Sequence, residues 1–294
     1  MTLKPLRRSI MVRHWTRADI DYVHESVSRE GWGHTQRDVE RCWKLEPKGC
    51  FIAEFQGKPV GHVFSICYGK IGWIGLLIVN LDRRGQGVGL ILMETAVNSL
   101  KKVGAETIRL EAVQEAVPLY RRVGFVEEFD SLRFRRQPHQ RKEPQVKRGK
   151  TFQMRDDDLA IVAQFDAPNF GADRLTVLQS LYRDNQRLCF VAKDGGKLVG
   201  YVMARQTQNG FWIGPWICLN SATARYLFYT LAKTIGSDVS EVRVGLPALN
   251  TSGRGLMEKL GFELTGKSIH MVLGRRENHS AVRHVYGIGG PEKG

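Results

Sequence analysis

The sequence predicts an α/β protein (an α+β mixed sheet, mostly antiparallel) whose architecture is laid down twice along one chain. Three observations carry that expectation. Ile74, Leu76, Leu77, Ile78 and Val79 form an apolar run rich in β-branched residues, which reads as a buried strand. Glycines at 85, 87 and 89 follow it, and beyond them apolar residues recur at three-to-four spacing as an amphipathic helix. After residue 150 the order of elements begins again, an internal repeat of long period.

The elements follow in order. Residues 10–13 predict a short strand. Thr16-Arg17-Ala18-Asp19 resembles a capping box and opens a helix to about residue 30. Gly31-Trp32-Gly33 breaks it, and Thr35-Gln36-Arg37-Asp38 starts a second helix to about residue 45. Strands follow at 51–55 and 60–68, joined by Gln56-Gly57-Lys58, and Tyr68-Gly69-Lys70 turns into the central strand. After the glycine helix come a strand at 107–113, a helix at 116–123 closed by Gly124, and a last strand or hairpin at 125–134. The second pass predicts strands at 151–154, 188–192, 198–205, 211–219 and 241–245. Its helices fall at 156–165, 173–184, 222–235 and 251–260. Val199-Gly200 matches Val60-Gly61, and Leu260-Gly261-Phe262 matches Val123-Gly124-Phe125.

Composition bounds the function. At 294 residues the chain has room for two cores. It is 42% hydrophobic and 25% charged, with no apolar run long enough to cross a bilayer. Residues 1–8 are basic without an apolar stretch behind them, so no signal peptide is expected and the predicted location is cytoplasmic. Cys42, Cys50, Cys67, Cys189 and Cys218 form no C-x-x-C pair and read as reduced thiols, neither disulfides nor a metal site. A net charge of +14 asks for an anionic partner. Much of it sits in residues 133–150, read as a solvated basic linker. No exposed aromatics interleave it in a nucleic-acid-binding pattern.

A strand, a glycine loop and a helix N-terminus suit an anion. Amides there lack intrahelical partners, the helix dipole adds positive charge, and glycine lets phosphate reach the main chain. The spacing is neither G-x-G-x-x-G at the head of a βαβ unit nor a Walker G-x-x-x-x-G-K-[ST]. Arg84-Gly85-Gln86-Gly87-Val88-Gly89 instead resembles the R/Q-x-x-G-x-G/A acetyl-CoA pyrophosphate loop of the GNAT superfamily of N-acetyltransferases. Val79 to Gly89 resembles the family's V-x-P-x-x-R-G-x-G-x-G, with Leu81 where proline is usual.

The resemblance implies two tandem GNAT folds, each a mostly antiparallel sheet splayed at its central strand with flanking helices. Residues 1–136 would be a GNAT domain with the acetyl-CoA site and 137–150 a basic linker. Residues 151–294 would be a degenerate GNAT-like domain covering the acceptor pocket, with Trp212 and Trp216 as contributors. The second copy reads Leu219-Asn220-Ser221-Ala222-Thr223-Ala224 where the loop should recur, so one coenzyme site per chain is expected. The main chain of Leu77, Ile78 and Val79 would pair with the pantetheine arm. The amides of Gly85, Gln86, Gly87, Val88, Gly89 and Leu90 would take the pyrophosphate. Arg84 stands beside them as a further expected coenzyme-binding residue, although its position is mainly structural in the family.

Leu119-Tyr120-Arg121-Arg122-Val123-Gly124-Phe125 resembles the family's L-Y-x-x-x-G-F, whose tyrosine protonates the departing thiolate. That makes Tyr120 the expected catalytic acid. Val113 stands where many relatives carry a coenzyme-binding asparagine, seven residues before the tyrosine. Trp32 falls in the acceptor-binding loop. Glu111, His62 and His34 are open alternatives for a base. The implied activity is acetyl-CoA-dependent N-acetylation of a primary amine, on a small molecule or a protein, by direct attack in a ternary complex without metal. A non-catalytic acyl-CoA-binding protein and a nucleic-acid binder acting through the basic linker are the alternatives.

Overall fold

The computed structural model describes residues 9–137, 151–275 and 279–294. The chain divides into two units. The first holds residues 9–128 and 270–275, with Lys293; the second holds 129–269 with most of the described tail.

In the first unit β1 (Ile10–His14), β2 (Cys50–Phe55), β3 (Lys58–Tyr68) and β4 (Ile71–Val79) form an antiparallel series. β5 (Thr107–Ala112) joins β4 in parallel, and the end of β12 (Glu263–Gly274) lies on its far side. Both predicted capping boxes form. Thr16 and Asp19 open the turn into α1 (Ile20–Arg29), and Thr35 and Asp38 open α2 (Gln36–Leu45). In the second box Asp38 accepts the Thr35 amide at 2.9 Å while Thr35 Oγ1 accepts the Asp38 amide at 3.2 Å, satisfying two helix-end donors reciprocally. The glycine-led helix, α3 (Val88–Lys102), buries Val88, Leu92, Met93, Ala96 and Leu100. The short α4 (Val117–Val123) ends at Gly124, whose φ of +100° suits a residue without Cβ.

β4 carries the feature that matters most. Phe64 pairs with Gly75 and His62 with Ile78, so three steps along β4 match two along β3, a β-bulge. Leu76 absorbs it with φ +50°, an uncommon conformation for a side chain of that size. β4 and β5 pair only from Ile71↔Thr107 to Ile74↔Leu110, and past that rung they diverge into a wedge.

The second unit repeats the order. It comprises most of β6 (Val126–Arg136), then β7 (Thr151–Gln153), α5 (Leu159–Phe170), α6 (Leu175–Asn185), β8 (Cys189–Asp194) and β9 (Lys197–Thr207). β10 (Gly210–Cys218), α7 (Ser221–Ile235), β11 (Glu241–Pro247), α8 (Thr251–Lys259), residues 263–269 of β12 and β13 (Val285–Gly287) complete it. The strands run β12-β6-β11-β10-β9-β8-β7, with β13 on β10. Phe134, Trp216, Phe228, Leu246 and Phe262 stand in its core.

Several features differ from the sequence reading. β12 and β13 are not predicted: β12 opens on exposed positions, and β13 is a three-residue strand. The compact units also divide elsewhere than at 136 and 151, because β6 and β12 each begin in one unit and end in the other. Nor does the basic segment begin as a solvated linker. Arg135 and Arg136 are strand residues paired with Arg243 and Val242, Arg133 donates to Ser131 and Ser268, and Arg136 stacks over Phe228 at 5.1 Å. The rest of the expected linker, 138–150, and residues 1–8 lie outside the described residues.

Candidate active site

The site assembles in the first unit where β4, the glycine loop and α4 converge. Gly85 and Gly87 adopt φ of +75° and +88°, and a Cβ on either would meet no protein atom within 4 Å. Gly87 is the N-cap of α3 and offers no capping side chain. Among the described residues no main-chain oxygen accepts from the amides of Gly85, Gln86, Gly87, Val88, Gly89 or Leu90; the first helical bond runs from Ile91 to Gly87. Bare amides at a helix N-terminus, with open space before them, form a cradle for a diphosphate. Gly89 serves differently. A Cβ there would press Leu119 Cδ2 at 3.3 Å and Val79 Cγ2 at 3.6 Å, so this glycine lets α3, α4 and the end of β4 close together.

Arg84 is committed to protein. Its Nε donates to the Val79 carbonyl at 2.9 Å, and its Nη2 pairs with Glu30. Glu30 immediately precedes Gly31-Trp32-Gly33, so one guanidinium ties the strand end and the glycine loop to the predicted acceptor loop. Trp32 is half-buried between glycines at φ +69° and +75°. Leu77 and Val79 are half-buried and Ile78 is buried along the wedge edge of β4.

Tyr120 is buried on α4, its ring edge-on to Phe125 at 6.2 Å. Burial raises its phenol above the usual range, which keeps the proton on oxygen. Val113 is exposed and apolar, and supplies no amide there.

The candidates for a base separate. Gly61 lies under Leu92 of α3, so its neighbour His62 faces the opposite side of the sheet, edge-on to Trp15 and Tyr22 at 5.8 and 6.0 Å. Burial pushes His62 down to about 3, against the pull of the Leu76 main chain, so it stays neutral and is a poor proton acceptor. His34 is buried beyond the acceptor loop. Glu111 is the first β5 residue past the last paired rung. Gly72 and Ile108 touch on the α3 side, so Trp73, its partner Arg109 and then Glu111 point to the other face. There Glu111 Oε1 meets His270 Nδ1 at 3.1 Å, while His270 Nε2 stands 3.7 Å from Glu128 Oε2 and its ring 5.5 Å from that of Trp73. An ionised carboxylate only accepts, so this pairing puts a proton on Nδ1. The Glu111 side chain is 2% exposed, so although it stands near the strand end it is not solvated.

His270 escapes sequence reasoning, since it lies 159 residues from Glu111 on an unpredicted strand. The only signal was alternation: Ile269, Met271 and Leu273 are apolar with His270 between them. The positive φ at Leu76 had no sequence signal at all. Trp212 and Trp216 are buried inside the second unit, the first donating to the Ile288 carbonyl and the second stacked on Phe228 with Tyr286 tilted against it. Among the described residues no group of three His, Cys, Asp or Glu side chains could hold a metal, and no helix is long and apolar enough to cross a membrane.

Known proteins echo both units. Residues 13–125 match the model of the acetyltransferase (GNAT) family, and residues 162–287 match that of an acetyltransferase (GNAT) domain. Holothin acyltransferase of Pseudoalteromonas sp. (strain SANK 73390) is 25% identical over 255 residues, 86% of this chain and 84% of its own. A crystal structure from Pyrococcus horikoshii, provisionally named an acetyltransferase, superposes with a TM-score of 0.80 at 22% identity, covering 98% of this chain and 96% of its own. A tandem GNAT protein from the clavulanic acid biosynthesis pathway gives a TM-score of 0.65 at 14% identity, over 91% of this chain and all of its own. At such identities the two structures speak for the fold alone.

Proposed function

The chain belongs to the GNAT acetyltransferase family, with two of its domains in tandem, and from that premise we propose that the first unit is an acetyl-CoA-dependent N-acetyltransferase acting on a primary amine. The observation that carries the proposal is the row of bare amides at 85–90 opening on space that only two left-handed glycines leave clear. Those amides fit a diphosphate, and the wedge beside Leu77, Ile78 and Val79 fits the extended arm behind it.

Acetyl-CoA supplies an activated acyl group. The protein supplies position, a base and an acid. The wedge would hold the thioester at the level of the Leu76 bulge. Glu111, oriented by His270, would take the proton of the ammonium, whose ordinary pKa near 10.4 keeps it charged at neutral pH. The amine nitrogen would then bond to the acetyl carbon as the carbon–sulfur bond breaks, Tyr120 would give its proton to the sulfur, and the second proton shed by the nitrogen would return through water to the Tyr120 phenolate. Trp32 and its glycines would shape the entry for the amine. The acceptor is a small molecule or a protein amine, and the work is that of a protein away from membranes, in the cytoplasm.

The test is a calorimetric titration with acetyl-CoA followed by a thiol-release assay across a panel of amines. One equivalent of coenzyme bound, with amine-dependent thiol release, is expected. No binding refutes the coenzyme site; binding with no release from any amine makes the chain a coenzyme-binding protein instead.

A further inference from the structure

The second unit repeats the wedge of the first and fills it with its own chain. Gly61↔Val79 and Gly200↔Cys218 are equivalent pairs, so Leu77 and Ile78 correspond to Trp216 and Ile217. The last parallel rung is Ile74↔Leu110 in one copy and Ile213↔Val244 in the other. Each central strand bulges over the next three residues, and Gly245 stands where the first copy has Glu111.

Into this opening runs β13, antiparallel to β10, with Gly287 opposite Trp216 and Val285 opposite Ile217. Three main-chain groups at its ends are met by the protein. The Ile288 amide donates to the Gly245 carbonyl at 2.9 Å, Trp212 Nε1 donates to the Ile288 carbonyl at 3.0 Å, and Asn250 Nδ2 donates to the Val285 carbonyl at 3.0 Å. Asn250 is 1% exposed and caps α8 with its other atom, accepting the Gly253 amide at 2.7 Å. Tyr286 is buried against Trp216. Two glycines of the slot and one of the occupant let them close together. A Cβ on Gly214 would lie 1.8 Å from the Ile288 oxygen, one on Gly245 2.9 Å from Ile288 Cγ1, and one on Gly287 2.9 Å from the Ile213 oxygen.

We infer that the wedge of the second unit is a binding slot for an extended, amide-bearing chain, and that residues 285–288 are its resident occupant, seated as a pantetheine arm would be along Leu77 and Ile78. The assignment of the ligand class rests on the function proposed for the first unit; the occupancy by the tail does not. An extended peptide and a pantetheine arm present the same alternation of amide donors and acceptors, so one edge serves both. The tail thereby closes the second copy to coenzyme while stabilising its core.

The experiment uses the full chain and reads amide hydrogen exchange over 285–290, with D-pantetheine as probe. In the unaltered protein these amides should exchange as slowly as those of β9, with or without acetyl-CoA, and no second equivalent of pantetheine should bind. Asn250→Ser keeps an oxygen to cap α8 but is too short to bring a donor to Val285, and should speed exchange over 285–288 by about tenfold, the worth of one lost hydrogen bond. Gly287→Leu should release the segment and admit one further equivalent of pantetheine. Fast exchange in the unaltered tail, or exchange unmoved by Asn250→Ser, overturns the occupancy. A freed tail that admits no pantetheine overturns the ligand class. Absence of coenzyme binding with a protected tail would instead count against the function of the first unit alone.

Discussion

Gly87→Ala and Gly89→Ala separate binding from packing, although both add one methyl to the same loop. At Gly87 the backbone stands at φ +88°, so alanine meets a left-handed strain of about 1–2 kcal/mol, partly offset by the reduced freedom of the unfolded chain. For a chain of this size that lowers Tm by roughly 2–5 °C. The new methyl touches no protein atom within 4 Å, so what it displaces is ligand. Losing one hydrogen bond to a charged phosphate costs about 1.5–3 kcal/mol, or roughly 10–100-fold in Kd. At Gly89 the backbone is helical and the methyl meets Leu119 Cδ2 at 3.3 Å, the far end of a movable side chain. There the gain in helix propensity, up to about 1 kcal/mol, offsets the crowding. Tm should hold or rise, and acetyl-CoA affinity should change little. Calorimetric titration and thermal melts of both variants provide the check. Equal losses of affinity in the two, or none in Gly87→Ala, would refute the cradle.

Tyr120→Phe should lower kcat by about 10²–10⁴ while the Kd for acetyl-CoA stays put, since the hydroxyl is asked only to give a proton; a parallel loss of affinity in the titration would make the residue structural. Glu111→Gln should likewise reduce kcat by about 10²–10³ with coenzyme affinity intact. His270→Ala, which takes away the partner of a buried carboxylate, should add a stability loss of about 1–3 kcal/mol by denaturant melt; if both leave turnover untouched, the pair is structural. For His62 the folded value near 3 lies below the ordinary 6.5, so between those limits the unfolded chain binds a proton that the folded chain refuses. Stability from this group is full above pH 6.5 and falls with pH by about 1.4 kcal/mol per unit, roughly 2 kcal/mol by pH 5; His62→Phe should flatten that part of the melting curve, and an unchanged slope would exclude the residue as its source.

What was legible in the sequence is what local chemistry dictates. The capping threonines place α1 and α2, since a hydroxyl and a carboxylate three residues apart serve each other wherever they occur. The glycines place the cradle, because φ near +80° favours glycine and the missing side chains leave the amides open. Arg84 was legible as a charge at a mainly structural position; that it grips Val79 and Glu30 depends on a residue 54 positions away. The bulge at Leu76 left no trace, as leucine is a poor choice for positive φ and is held there by the strands around it. β12 eluded pattern reading for a related reason: one strand serves two environments, exposed from Glu263 to Lys267 and buried from Ser268 to Val272, so no single alternation runs through it.

The two copies carry one piece of backbone machinery to opposite ends, and their helix N-termini make the contrast physical. In the first copy Gly87 leaves the amides of α3 bare, and β4 diverges from β5 with no described strand between them. In the second, Asn220 Oδ1 accepts the Thr223 amide at 2.9 Å and caps α7, while β13 satisfies the edge of β10. A capped helix and a filled wedge gain less from a bound diphosphate or an added strand, because the Thr223 amide and the edge of β10 already have protein partners. Bare donors and a diverging edge cost stability unless something completes them. Ligand binding in this chain therefore follows from where the protein declines to satisfy itself, and the second copy, having closed both openings with its own atoms, is the internal control for the first.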